Sequence, residues 1–270
     1  GAVLMTAVLA SRVVEGMPSD EYHGSPALSS SGAKLLLPPS CPAKYRWVRD
    51  HGQKPKREFD FGHAAHGQVL GIGDPVDVVD ADNWKTKAAQ DKAKAARAAG
   101  VVPLLAKEWQ TVLDMAAAIR AHPIAGPLFA PGTGRAELSL FWHDPEFDVQ
   151  RRARLDWLRP AAPGKRAILV DYKTAASAEP GECEHNMHKL GYYRQLPWYL
   201  DGISACDLDG GMEPAALIIW QEKTPPYLIT PTVPDADALS KGRDLNRKAL
   251  DVFARCTAAG VWPGYANPGL

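Results

Sequence analysis

Apolar and polar positions alternate through the second half of the chain. From Arg135 to His143, RAELSLFWH puts Leu138, Leu140 and Trp142 on one face and Glu137 on the other, the period-two pattern of a strand. Arg151 to Thr174 reads as two further strands joined by a Pro/Gly turn at Pro160 to Gly164. In the first, Leu155 and Trp157 face one way and Arg152, Arg154 and Asp156 the other. In the second, ILVDYKT, Ile168, Val170 and Tyr172 share one face, and Leu169, Asp171 and Lys173 share the opposite one. Pairing the two as a hairpin brings Asp156 toward Asp171 and Lys173. Ala215 to Trp220 and Tyr227 to Thr232 read as two closing strands around a Lys-Thr-Pro-Pro turn.

The first half has helical spacing instead. Tyr22 to Leu37 offers a serine-rich N-cap followed by an apolar run that Pro38 and Pro39 stop. Pro42 to Asp50 is short, basic and aromatic. Phe59 to Leu70 reads as a helix bearing His63 and His66. Asp82 to Ala99 is alanine-rich and charged, the pattern of a solvated surface helix. Ala106 to His122 carries Trp109, Val112, Leu113, Ala116 and Ile119 on a core-facing stripe. Later, Glu184 to Asp201 places Leu196 and Leu200, with Ile203 beyond, on one stripe and Tyr192, Gln195 and Tyr199 on its neighbour. Pro197 falls inside that helix, where it removes the bond to Tyr193 at a cost of ~3 kcal/mol, and a kink there would disturb the relation of Gln195 to Tyr199. Asp235 to Ala259 reads as a final amphipathic helix. The expected class is α/β: a mixed central sheet flanked by helices, with an α-helical N-terminal addition.

At 270 residues the chain has ample core, and with 46% hydrophobic residues disorder is not indicated. We read one domain over 1–270, mostly helical over 20–125, with the catalytic core over 126–270. The formal net charge of zero counts mildly against a nucleic-acid partner, although an acidic exterior can balance a basic channel. Cys41, Cys183, Cys206 and Cys256 are scattered without a CxxC pair, which argues against a zinc site and for free thiols in a reducing cytoplasm. The apolar start is short and lacks a basic region before it, so neither a signal peptide nor a membrane span is expected.

Asp-X-Lys alone is most often a solvated pair on an exposed strand. Asp156 on the preceding strand changes its meaning: two carboxylates beside a lysine make a hard-cation site flanked by positive charge, suited to metal-assisted phosphodiester hydrolysis. The serines have two readings. Ser29 and Ser31 either cap a helix or, by the same free N–H groups, hold a phosphate. Arg152 and Arg154, on the Asp156 face, are candidates for neutralising phosphates.

This constellation resembles the PD-(D/E)XK nuclease superfamily, and within it the RecE-like phage and prophage exonucleases related to lambda exonuclease. The resemblance runs from about Tyr22 to the C-terminus. It implies a restriction-endonuclease-like core and one or two Mg²⁺ or Mn²⁺ ions held by His66, Glu137, Asp156, Asp171 and the carbonyl of Tyr172. Phe61-Gly62 followed by His66 matches a RecE-family motif, which puts the ligand role on His66 and not on His63. Lys173 would act as base or transition-state stabiliser, and Gln195 and Tyr199 match the Gln-x-x-x-Tyr motif. Ser29 and Ser31 would hold the DNA 5′-phosphate. The implied activity is 5′→3′ digestion of linear double-stranded DNA. It leaves 3′ single strands for a RecT-like annealing partner and is carried out by a homo-oligomeric ring. Leu155 departs from the family pattern, which has proline before the acid. A Cas4-like or restriction-type endonuclease is an alternative, though unclustered late cysteines and the lack of a base-reading element speak against it. A nuclease-fold protein that binds without cutting is another.

Overall fold

The computed structural model describes residues 10–52 and 57–265, with the side chains of 57–59 excepted. Most of the apolar start lies outside the described residues. In chain order, the N-terminal part supplies β1 (Arg12–Val14), α1 (Ser19–Gly24), β2 (Leu28–Ser29), α2 (Ser30–Leu35), α3 (Pro42–His51) and α4 (Arg57–Leu70). It continues with β3 (Val76–Val79), α5 (Lys87–Ala98), β4 (Val102–Leu105), α6 (Ala106–Ala121) and α7 (Ala125–Leu128). The remainder is β5 (Arg135–Asp144), β6 (Val149–Arg159), β7 (Ile168–Ala175), α8 (Pro180–Leu190), α9 (Tyr192–Ala205), β8 (Ala215–Glu222), β9 (Ile229–Thr232) and α10 (Ala236–Ala259). No helix among the described residues is long and apolar enough to cross a membrane.

The mixed α/β class holds. The path β1-β5-β6-β7-β8-β9 of the main sheet is antiparallel except between β7 and β8, where α8 and α9 make the crossover that a parallel pair requires. The N-terminal part is less purely helical than its sequence suggests. β1 extends the sheet beyond β5, β2 pairs parallel with β6, and β3 and β4 form a separate parallel pair. These strands are two to four residues long and carry too few alternations to register as a period. The charged helix α5 does lie at the surface, but it buries Ala89, Ala93 and Ala96, and Arg97 reaches across to Asp60 of α4.

Each face of the sheet carries a core. One packs Leu138, Leu140, Trp142, Leu155 and Leu169 against α2, α9 and α10. The other packs Trp157, Val170, Tyr172 and Ile219 against α4, α6 and α7. The expectation that Leu155 and Trp157 share a face is therefore wrong. Leu155 joins the first core and Trp157 the second; across the ladder, Leu138 joins the first and Ala136 the second. Alternation breaks on both strands at once, at Asp156 and at Glu137. The physical cause is visible at Glu137, whose φ of 47° is left-handed and interrupts the pleat.

Pro197 lies within α9, and the helix continues past it. Its missing N–H frees the carbonyl of Tyr193, and α10 crosses at that point. A Cβ at Gly242 would stand 1.9 Å from Tyr193 O and 2.9 Å from Pro197 Cγ. One turn on, Asn246 Nδ2 donates to Arg194 O at 2.8 Å. The carbonyls around the proline are thus covered by a neighbouring helix, which offsets part of the cost of the lost bond.

Candidate active site

The site forms where β6 changes partners. Along one edge β6 pairs with β7 at Trp157–Arg159 and with β2 at Arg151–Arg152. Residues 153–156 lie between these ladders, and β7 peels away just where its register would place Asp171 opposite Asp156. The opening is closed by a side chain: the Tyr172 N–H donates to Asp156 Oδ2 at 2.9 Å. That bond fixes the carboxylate and turns it into the gap.

Glu137 and His66 reach the same gap from either side. One potential ligand atom from each of His66, Glu137 and Asp156 lies within 4.8 Å of the others. His66 Nδ1 is 3.8 Å from Asp156 Oδ2, and its ring meets Tyr172 edge-on with centroids 5.0 Å apart. Burial, aided by Lys173, pushes the His66 pKa down to about 3, so the imidazole is a neutral lone-pair donor. Burial and the nearby Asp156 push the Glu137 carboxyl up to about 7; Arg154, 3.9 Å away, opposes them only in part.

Asp171 stands outside that triad. It is wholly buried, and its Oδ2 faces Lys173 Nζ at 2.7 Å without an aligned hydrogen bond. Burial raises its pKa and the ammonium opposes the rise. Burial disfavours the charge on Lys173 as well, but Asp171 and Asp156, the latter 3.8 Å from Nζ, outweigh it and hold the pKa above the ordinary range. Gln195 Nε2 donates to Tyr199 Oη at 2.9 Å and approaches Asp171 Oδ1 at 3.4 Å, so the Pro197 turn leaves the expected Gln195–Tyr199 relation intact.

Asp171 and Lys173 thus face α9, while His66 comes from the α4 side; both reach the same gap. The donor set is three carboxylates and one neutral imidazole, which suits a hard or borderline divalent cation. The buried, under-bonded Asp171 Oδ2 fits the same purpose. His66, Glu137, Asp156 and Asp171 are the side chains able to hold such an ion.

The other candidates are placed as follows. Ser29 Oγ caps α2 by accepting from the Gly32 N–H at 3.2 Å, and lies 3.1 Å from Ser31 Oγ. Because Ser29 pairs with Arg152, this helix start lies roughly 13 Å along β6 from Asp156, at about 3.3 Å per residue. Arg152 is buried, and its guanidinium donates to Tyr22 O and to Ser25 O. Arg154 donates to Ser139 Oγ and Met17 O and packs over the Tyr22 ring. Both arginines therefore pin the N-terminal segment over the site. His63 is exposed one turn before His66.

One residue of the site escapes motif reasoning. The Tyr192 ring lies 5.1 Å from Lys173 Nζ, a cation–π contact. Its signal is present in the stripe of Tyr192, Gln195 and Tyr199, which already puts it on the face of Gln195.

A family model described as the PD-(D/E)XK nuclease superfamily matches residues 28–264. Among solved structures, a protein from Eubacterium rectale described as a "putative exonuclease" is similar in fold. The TM-score is 0.65 at 13% identity, over 93% of this chain and 88% of the other. No curated protein matches the chain.

Proposed function

The chain belongs to the PD-(D/E)XK nuclease superfamily, and from that premise we propose that it is a Mg²⁺- or Mn²⁺-dependent exonuclease of linear double-stranded DNA. The observation that carries the reading is the convergence of His66, Glu137 and Asp156 beside the Asp171–Lys173 pair. A divalent ion bound there would make water a nucleophile near neutral pH and offset charge on the scissile phosphate.

The chain's own groups have separable tasks. Asp156 is oriented by the Tyr172 N–H, so its carboxylate is held before any substrate arrives. His66 offers a lone pair without adding positive charge. Lys173 keeps a proton on Nζ between two carboxylates, which places a fixed ammonium where negative charge builds on the phosphate. Gln195 and Tyr199 brace Asp171 from α9. Tyr172 Oη donates to Gln221 Oε1 at 2.6 Å, and Gln221 Nε2 donates to Met115 O, which locks β7 to β8 and α6.

Exonuclease rather than endonuclease action rests on the resemblance to RecE-like enzymes and on the description of the Eubacterium rectale neighbour. On that basis digestion runs 5′→3′ from an end whose phosphate sits at Ser29 and Ser31. The 3′ single strand passes to a RecT-like annealing protein, and the working form is a homo-oligomeric ring. Incubating the protein and Mg²⁺ with linear duplex and with covalently closed circular duplex tests this. Loss of the linear DNA with survival of the circle supports the proposal; rapid nicking of the circle rejects it.

A further inference from the structure

Trp47 on α3 is 55% exposed, a costly position for an indole. It lies flat against the His51 imidazole, with centroids 4.7 Å apart and planes 14° apart. His51 Nδ1 is 2.8 Å from Trp47 O, so the imidazole is tied to its own helix and the two rings form a fixed step.

The step stands in a basic field. Lys44, Arg46 and Arg49 lie on α3, and Asp50 is the one acid of that helix. Arg46 engages that acid at 2.9 Å. Arg49 Nη1 donates to Ser25 O at 2.7 Å, and the same carbonyl accepts from Arg152 of β6. Helix α3 is thereby fastened to the strand that carries Asp156.

Resting on the nuclease reading, we propose that the Trp47–His51 step binds the single strand that digestion leaves, one base stacking on the indole while the basic residues around it attract the phosphates. Positive charge beside an open aromatic face complements an anionic strand with unpaired bases. A duplex keeps its base faces inside its own stack and cannot use the step. An apolar protein partner fits poorly, because exposed Lys44, Arg46, Arg49 and Asp50 share this helix with the indole.

The test is fluorescence anisotropy with a labelled oligo(dT) and an abasic oligomer of equal length, in EDTA so that nothing is cut. Trp47→Ala should weaken oligo(dT) binding by about tenfold or more, as loss of one stacked base predicts, and Trp47→Phe should restore most of it. Wild type should bind the abasic oligomer about as weakly as Trp47→Ala binds oligo(dT). Equal affinity of wild type and Trp47→Ala for oligo(dT), or no preference for bases over abasic backbone, overturns the inference. So does a fall in sedimentation mass in Trp47→Ala with strand binding unchanged, which would make the step a contact between copies. Cutting of duplex is assayed separately. Trp47-dependent strand binding by a protein that cuts no DNA would sink the nuclease reading and leave the step. Normal cutting with strand binding indifferent to Trp47 would do the reverse.

Discussion

Glu137 and Asp156 stand opposite each other on β5 and β6, between the paired positions Ala136–Trp157 and Leu138–Leu155, and Glu137 holds a left-handed φ of 47° there. Backbone strain of this kind, typically about 1–3 kcal/mol, persists where the surroundings enforce it, commonly at functional sites. Here it accompanies two carboxylates turned toward one gap.

That repulsion has a pH signature. The Glu137 carboxyl is raised from 4.5 to about 7 by burial and Asp156. A raised acid binds its proton more tightly in the folded state, so it costs nothing below pH 4.5, and the cost grows as pH rises and is complete above about 7. In EDTA, wild type should therefore lose about 1–3 kcal/mol of unfolding free energy relative to Glu137→Gln between pH 5 and pH 8, a difference from which the opposite contribution of His66, whose lowered pKa adds stability as pH rises toward 6.5, cancels. Mg²⁺ or Mn²⁺ should offset the loss in wild type. Urea denaturation measures this; wild-type and Glu137→Gln profiles that run parallel in EDTA would show that the two carboxylates do not oppose each other.

Lys173→Ala should keep duplex binding and lose the chemical step, because the ammonium acts where charge develops. Single-turnover rates and affinities measured on one substrate separate these. A loss of affinity in proportion to rate would reduce Lys173 to a phosphate contact. The variant will also leave Asp171 buried without its counter-charge, so a stability loss of about 3–5 kcal/mol is expected with it.

Gly242→Ala should destabilise the fold by about 3 kcal/mol or more, because its Cβ would stand 1.9 Å from the Tyr193 carbonyl and force α10 off α9. Pro197→Ala restores a donor toward that carbonyl and should change stability far less. Thermal melts of the two decide it. Equal melting temperatures would mean the crossing does not depend on the glycine.

Much of the site is legible in the sequence because strand periodicity is local. Asp171 and Lys173 share a face as expected, and the β6–β7 hairpin brings Asp156 to them. What is not legible depends on tertiary context. Nothing marks Glu137 as left-handed, since glutamate has no special tolerance for that conformation, so the switch that separates Trp157 from Leu155 is invisible. β2 is two residues long and exists as a strand through its pairing with β6. Arg152 reads as a candidate phosphate contact on the Asp156 face, yet its guanidinium is buried and donates to Tyr22 O and Ser25 O. Pro197 leaves the Gln195–Tyr199 relation open on sequence grounds, yet α9 runs through it, with α10 covering the carbonyls there.

The serine helix start separates into two roles. Ser29 caps α2, so Ser29→Ala should cost about 1 kcal/mol of stability whatever DNA does. Ser31 makes no cap, so Ser31→Ala is the cleaner probe. If this end holds a 5′-phosphate, wild type should digest 5′-phosphorylated linear duplex faster than dephosphorylated duplex, and Ser31→Ala should narrow the difference. A preference unchanged in Ser31→Ala moves the pocket elsewhere.

Asp156→Asn removes one negative charge at nearly constant shape, and the amide oxygen can still accept from the Tyr172 N–H. The measurement is the Mg²⁺-dependent cleavage rate of 5′-phosphorylated linear duplex by wild type and by Asp156→Asn, at matched thermal stability. The predicted result is robust cleavage by wild type, none in EDTA, and a loss of at least about a hundredfold in the variant, the scale on which catalytic electrostatics act. Cleavage by Asp156→Asn at the wild-type rate, or a wild-type protein inert on DNA with Mg²⁺ and with Mn²⁺, would contradict it.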